Sequence, residues 1–484
     1  MTDTTLGVAA DDRAEPVVLR GGAHQHEVNR LLGAQAFLGG RSFRQKVLGF
    51  YRFREDATAP EHGLNVRLLV QTCLAAEREQ MAFDRAFVAS AVVCAVGAVE
   101  IWMLALGLLA AGAVCAGRQH LARSRAKAFL RTRFNFAACA QAFGRENVPG
   151  SIEAALPRND QNVIVYSGFV PFVGAGSFQG SWSFNCALSA PREHGSSQGL
   201  RVFTTTALYS RIRSSMEAMN IPGLQCADKL FVNGCEVRGP EPLCEGGSLR
   251  PVQVLAAPGL AQSMEANDER IRHYLCVQVA DWGGEVITTF FIRFVLRGNG
   301  LYVELNRFFL GPIADDYREV DKIADLTPWL RMTRAFGDVI AGPFHGIGAC
   351  LAVAGRLQEA LANLIGADRR RKARMKKITC KIGYDFGASS SLRELLSRPE
   401  LRHYFQRSDE DFTRKLIERN VLDEIANFLE EHGFDSSDVR ERRTTILNNG
   451  IIVNGGDVRS ESLAVGAGAT ASKHVGSRAE RAAA

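Results

Sequence analysis

Residues 86–117 read AFVASAVVCAVGAVEIWMLALGLLAAGAVCAG, an apolar run that carries one charge, Glu100. A membrane-spanning helix needs about 20 such residues, and a buried helix of a globular core rarely supplies more. Arg85 and Arg118 flank the run abruptly. The pattern predicts a transmembrane segment. One continuous helix here would be roughly 48 Å long against a hydrocarbon core of roughly 30 Å. It would also hold Glu100 near the bilayer centre, at a cost of about 2.5–3.5 kcal/mol. A helical hairpin instead places Glu100 and Trp102 at the far turn, with the carboxylate hydrated and the indole at the interface. The arms are then short and no Asn-Gly or Gly-Pro marks the tip, but the balance favours the hairpin over a single span.

Charge sets the expected orientation. Arg118, Arg123, Arg125, Lys127, Arg131 and Arg133 crowd the C-terminal flank. The bias of basic residues toward the cytoplasm puts that side, and the C-terminal bulk, in the cytoplasm of a cell-membrane protein whose first partner is the lipid bilayer. The N-terminus is acidic and has no apolar core, so the run itself would act as an internal signal-anchor.

The rest of the chain reads as globular. Its 484 residues are 46% hydrophobic and 23% charged, which fits several domains and excludes both wholesale disorder and a polytopic fold. A net charge of +6 is mild, and the basic residues gather at 118–133 and 369–381. Both clusters read as helix flanks, so nucleic acid is not an expected partner. The 11 cysteines form no CxxC pair, and Cys226, Cys235 and Cys244 have no histidine among them at zinc-ligand spacing. Reduced thiols are expected, with no metal and no cofactor.

The expected units are these: residues 1–25 as a disordered N-terminus, 26–85 as a helical region, 86–117 as the transmembrane segment, and 118–150 as a basic amphipathic helix. An α+β domain follows over 151–325, then a helical segment and basic linker over 326–377, a helical module with a β tail over 378–471, and a disordered end over 472–484. Within the central domain Val163–Tyr166, residues 182–188, 229–232 and 273–281 have strand character, and 204–219 has helical periodicity. The clearest local signal is VITTFFIRFVL and LYVELNRFFL joined by RGNG at 297–300, a β-hairpin. The fold class is therefore α+β: a helical N-terminal region with a transmembrane helical hairpin, a central antiparallel β domain, and a helical C-terminal module with a short β tail. In that module Ser408-Asp409 reads as the cap of a helix ended by Gly433.

Candidate chemistry is sparse. GAGSFQG at 174–180 misses GxGxxG by one position and lacks the lysine of a phosphate loop, so it reads as a turn between strands. Ser167-Gly168 is no nucleophile elbow. His194, His273, His345 and His403 each stand alone, and Asp315, Asp316, Glu319 and Asp321 fit helix starts. Trp182 and Trp282 fall in strand contexts and read as core. No catalytic residue can be named. Beyond Thr444, triplets such as Ile451-Ile452-Val453 and Leu463-Ala464-Val465 alternate with Gly and Asn like one coil of a β-solenoid. One coil cannot bury its own face, so the tail from Ile446 to Ala471 is expected to mediate self-association.

Several stretches carry a resemblance: NVIVYSGFVPFVGAG with GSWSF, RHYLCVQVADWGGE, LREL, LIERNVLD, FLEEHG and ILNNGIIVNGG with SLAVGAGA. Through them the chain resembles an uncharacterised group of actinobacterial membrane-anchored proteins with no assigned activity, so the resemblance implies a plan and no functional residues. The tail is also faintly similar to bactofilin-type solenoid strands. The expected function is a membrane-anchored, cytoplasm-facing interaction or regulatory protein that self-associates. The alternative is a membrane-tethered enzyme with a pocket near residues 167–180 and 282–285.

Overall fold

The computed structural model of the chain describes residues 26–51, 56–96, 101–190, 200–238, 243–244, 250–266, 268–323 and 384–448, with a few positions between 337 and 379. A helical N-terminal part packs beside a six-stranded sheet, and further helices cover one face of that sheet.

The N-terminal part contains α1 (Glu27–Leu38), α2 (Gly40–Phe50), α3 (Val66–Val96), α4 (Ile101–Ala126), α5 (Phe136–Phe143) and the single turn α6 (Gly150–Glu153). Its core joins Leu31, Leu32 and Phe37 of α1 with Val70 and Cys73 of α3, and with Phe129 and Phe143. Arg30 is 1% exposed; it donates to Glu27 at 2.9 Å and to Asp321 at 2.8 Å, which ties α1 to the chain after the sheet.

The transmembrane expectation fails. Residues 86–117 divide between the end of α3 and the start of α4, which pack along one another, and no described helix is long and apolar enough to cross a membrane. The physical reason is where the charges fall. The first part of α3 carries Arg67, Glu77, Arg78, Glu79, Asp84 and Arg85, and α4 becomes basic from Arg118. Neither helix therefore keeps an apolar length sufficient for a span. Gly107 permits the close approach, since a Cβ there would meet the Cys94 sulfur at 2.4 Å. Glu100 lies outside the described residues, while Trp102 and Leu109 are each 63% exposed. The basic helix expected over 118–150 also breaks: α4 ends at Ala126, and α5 begins afresh where Asn135 accepts the backbone N–H of Ala138.

The sheet contains β1 (Val163–Tyr166), β2 (Ser177–Ala187), β3 (Leu224–Asn233), β4 (Ile271–Asp281), β5 (Val286–Arg297) and β6 (Gly300–Leu310), in the order β1-β3-β4-β5-β6-β2. It is mixed rather than antiparallel, because β1 runs parallel to β3. The hairpin between β5 and β6 forms where RGNG predicts it, with Gly298 at φ +58°.

Alternation along the strands sorts two faces. Leu275, Val277, Phe290, Ile292, Val303 and Leu305 form one face, covered by α7 (Thr205–Ala218) and α10 (Tyr404–Glu431). Thr204 caps α7 by accepting the N–H of Ala207, and Leu208, Ile212 and Met216 then recur at helical spacing toward the sheet. α10 starts at Tyr404, ahead of the expected Ser408-Asp409 cap, because Gln406 Oε1 accepts the backbone N–H groups of Arg402 and His403. Gly433, at φ +82°, does end it. α8 (Ala257–Glu265) borders β4, and α11 (Ser437–Asn448) closes the described chain. Residues 437–448 are thus helical, with Ile446 packed against the main core, and the β tail expected beyond them lies outside the described residues.

On the second face Phe172 sits at the centre of an aromatic cluster, 5.2 Å from Phe231 and Tyr274, 4.5 Å from Phe291 and 5.0 Å from Phe308. The loop that carries it covers only part of this face. A strap, residues 56–65, covers a second part, and polar side chains line the gap between the strap and the sheet.

Candidate functional site

The floor of the gap is set by strand register. Gln225, Ala227 and Lys229 alternate on one face of β3, and β4 places Gln278 opposite Gln225 and Cys276 opposite Ala227. The strap forms one wall. Ala57 donates its N–H to the Phe386 carbonyl at 2.8 Å, and Asn29 holds the other end by donating to the Gly63 carbonyl and accepting the N–H of Asn65. Gly63 adopts φ +70°, which favours glycine, and lies against the Gly284 carbonyl. Glu153, residues 156–159 and Gln161 complete a cleft of about 520 Å³, within the usual range for small-molecule sites. A shallower depression of about 680 Å³ adjoins it, where Arg67 pairs with Glu153 at 2.5 Å and Glu146 with Arg78 at 2.5 Å.

Burial shifts four ionisable groups of the cleft, His62, Glu61, Cys276 and Lys229. Burial lowers His62 to about 3, and the charges of Lys229 and Arg393 add to that. Its imidazole is neutral at physiological pH. Burial raises Glu61 to about 7, even though its carboxylate accepts the N–H groups of Leu392 at 2.7 Å and Arg393 at 2.8 Å and the Tyr51 hydroxyl at 2.8 Å. Burial also pushes the Cys276 thiol up to about 12 and lowers the pKa of Lys229. The Lys229 ammonium donates to the Gln161 carbonyl. Gln161 donates its side-chain N–H groups to Thr58 at 2.9 Å and Val163 at 3.1 Å, while its Oε1 has no partner. The neutral imidazole, the protonated thiol, the ammonium and the amides include no activated nucleophile, and the Glu61 carboxyl is taken up by Leu392, Arg393 and Tyr51.

The stretches singled out in the sequence lie elsewhere. Ser167 donates to Asp385 at 2.5 Å. The backbone N–H groups of Gly174 and Gly176 point at one anion, and that anion is the chain's own Glu394, at 2.9 and 2.8 Å. Glu394 belongs to α9 (Leu392–Leu395), where it also completes a capping box with Ser391. A small groove of about 230 Å³ borders Gly176 and Ser177. Trp282 is not core: it is 41% exposed, takes φ +53°, donates to Asp409 at 3.0 Å and stacks on His403. Glu285 is buried against Arg318. His273 is buried beside Asp228 at 3.1 Å, and Asp315 and Asp321 serve ion pairs with Arg398 and Arg30. None of these residues lines the cleft.

Sequence reasoning missed His62, Gln161, Lys229, Cys276 and Gln278 as a group. The one usable signal was the polar spacing of Gln225 and Lys229 on β3, of which only residues 229–232 read as strand.

A family model described as an AbeC-like domain matches residues 181–459, more than half of the chain. No curated protein and no solved structure matches. The match includes the cleft floor on β3 and β4, whereas the strap and Gln161 precede it.

Proposed function

The chain belongs to the AbeC-like domain family, and on that premise we propose that it is a regulatory binding protein whose cleft takes up a small polar molecule without covalent chemistry. The observation that carries this reading is the composition of the cleft: hydrogen-bonding side chains on a rigid sheet, with the Cys276 thiol held protonated. Thermal scanning against a panel of polar metabolites, followed by mass spectrometry of the stabilising compound, tests it. The expected result is a raised melting temperature with the compound recovered unchanged. Recovery of a chemically altered compound overturns the reading.

Self-association is a second reading, and β2 favours it. This strand is the outer member of the sheet and pairs with β6 on one side. Such an edge is a template for a further strand, and the sequence from Ile446 to Ala471 is rich in β-forming triplets. If truncation after Asn448 leaves the oligomeric state unchanged in light scattering, this second reading is wrong.

A further inference from the structure

Lys229 brings a positive charge into the cleft, and among the described residues no carboxylate stands within ion-pair distance of it. Its ammonium donates to one backbone carbonyl, that of Gln161, and makes no ion pair among the described residues. The neighbouring carboxylates are engaged elsewhere. Asp160 pairs with Arg158 at 2.7 Å, and Asp228 faces the other side of β3, bound to Arg213 and His273. An ammonium offers three donors, so two remain for something in the cleft. A charge withdrawn from water without a counter-charge is unfavourable, and proteins normally pair it.

The residue whose backbone carbonyl takes that ammonium also carries an unfilled acceptor. Two carbonyls, of Thr58 and Val163, fix the amide nitrogen of Gln161, which settles the orientation of its side chain. Its Oε1 is then a buried acceptor without a donor, in a residue only 4% exposed. Buried polar atoms of this kind are seldom left unmatched.

We infer that the cleft takes a small organic carboxylate, with its anionic oxygens on Lys229 and an N–H or O–H of the same molecule on Gln161 Oε1. This rests on the binding reading above. One ammonium balances one negative charge, and Arg67 and Arg158 are already paired with Glu153 and Asp160. A carboxylate therefore fits better than a doubly charged phosphate monoester. Gln225 supplies an amide donor and acceptor for the polar remainder of the molecule, whereas Gln278 already donates to Thr289 at 3.4 Å.

Isothermal titration of the full chain with amino acids and 2-hydroxy acids, their primary amides, inorganic phosphate and AMP tests the inference. Acids are expected to bind at least tenfold more tightly than the matching amides. Lys229→Met is expected to remove that preference, and Gln161→Leu to weaken binding of the acids. The acid–amide comparison on the unaltered chain stands even if a variant fails to fold. Equal affinity for acid and amide, or undiminished preference in Lys229→Met, overturns the inference. So does binding of phosphate or AMP without binding of any carboxylate. A neutral metabolite that binds where no acid does also sinks it, yet leaves the binding reading intact; turnover of the bound compound sinks the binding reading instead.

Discussion

The carboxylate of Glu61 accepts the backbone N–H of Arg393 at 2.8 Å across 332 positions of chain, and so joins the strap that walls the cleft to the short helix α9. The next residue, Glu394, holds the amides of Gly174 and Gly176. Strap, helix and Phe172 loop are therefore linked by two carboxylates on backbone N–H groups.

Glu61 and His62 give opposing pH dependences. The folded state holds a proton on Glu61 up to about 7, against an ordinary value of 4.5, so this residue contributes stability at low pH that is lost as pH rises through 7. The folded state refuses a proton on His62 down to about 3, against 6.5, so this residue contributes stability at neutral pH that is lost on acidification. Between pH 6.5 and 4.5 the two slopes oppose. Glu61→Gln is expected to steepen the loss of stability on acidification in that window, and His62→Gln to flatten or reverse it, each by roughly 1–2 kcal/mol. Urea midpoints at pH 7.5 and 5.0 measure both; parallel curves for the two variants would sink the assignment.

Glu394→Ala leaves the N–H groups of Gly174 and Gly176 without their acceptor. A buried donor left unmade costs about 1–3 kcal/mol. The expected signature is local: faster amide exchange over residues 168–177, with the exchange of β5 changed little. Uniform acceleration across the sheet would contradict the latch.

Arg393 is 0% exposed and donates to the carbonyls of Glu285 and Gly311 at 2.8 and 2.9 Å. Burial lowers its pKa to about 10, which leaves it charged at neutral pH. Arg393→Met is expected to destabilise by about 3–5 kcal/mol, the range for breaking a buried charged network. By contrast Arg211, 40% exposed and paired with Glu424 and Glu431, should cost under about 1 kcal/mol when replaced by alanine. Thermal melts of the two variants test the ordering.

Two glycines with positive φ separate steric need from turn preference. At Gly176, φ +89°, a Cβ would meet the Phe309 carbonyl oxygen at 2.2 Å; at Gly298, φ +58°, it would meet nothing within 4 Å. Gly298→Ala is expected to cost about 1 kcal/mol from backbone conformation alone, and Gly176→Ala at least twice that by forcing β2 from β6. Equal denaturant midpoints for the two would refute the difference.

The hairpin at Arg297–Gly300 and the stop at Gly433 were legible because each rests on chemistry contained in a few adjacent residues. The membrane segment misled because hydropathy over 86–117 does not weigh the charged residues that share α3 with the start of the run. Neither α3 nor α4 is long and apolar enough to cross a membrane. The start of α10 at Tyr404 hid behind a better cap residue at Ser408, since the bonds that fix it come from Gln406. The cleft was illegible for a different reason. Glu61, His62, Gln161, Lys229 and Gln278 meet only through strand register and the strap, and none has a local pattern that marks it.

The strand order carries a consequence for how the chain is made. β1 and β2 leave the ribosome first, yet they take opposite edges of the sheet, β1 against β3 and β2 against β6. β1 waits for residues 224–233 to emerge and β2 for residues 300–310, and non-local pairings of this kind fold slowly. Gly180 and the polar residues of β2, Ser177, Gln179, Ser181, Ser183 and Asn185, lower the pairing strength of a strand that waits for its partner.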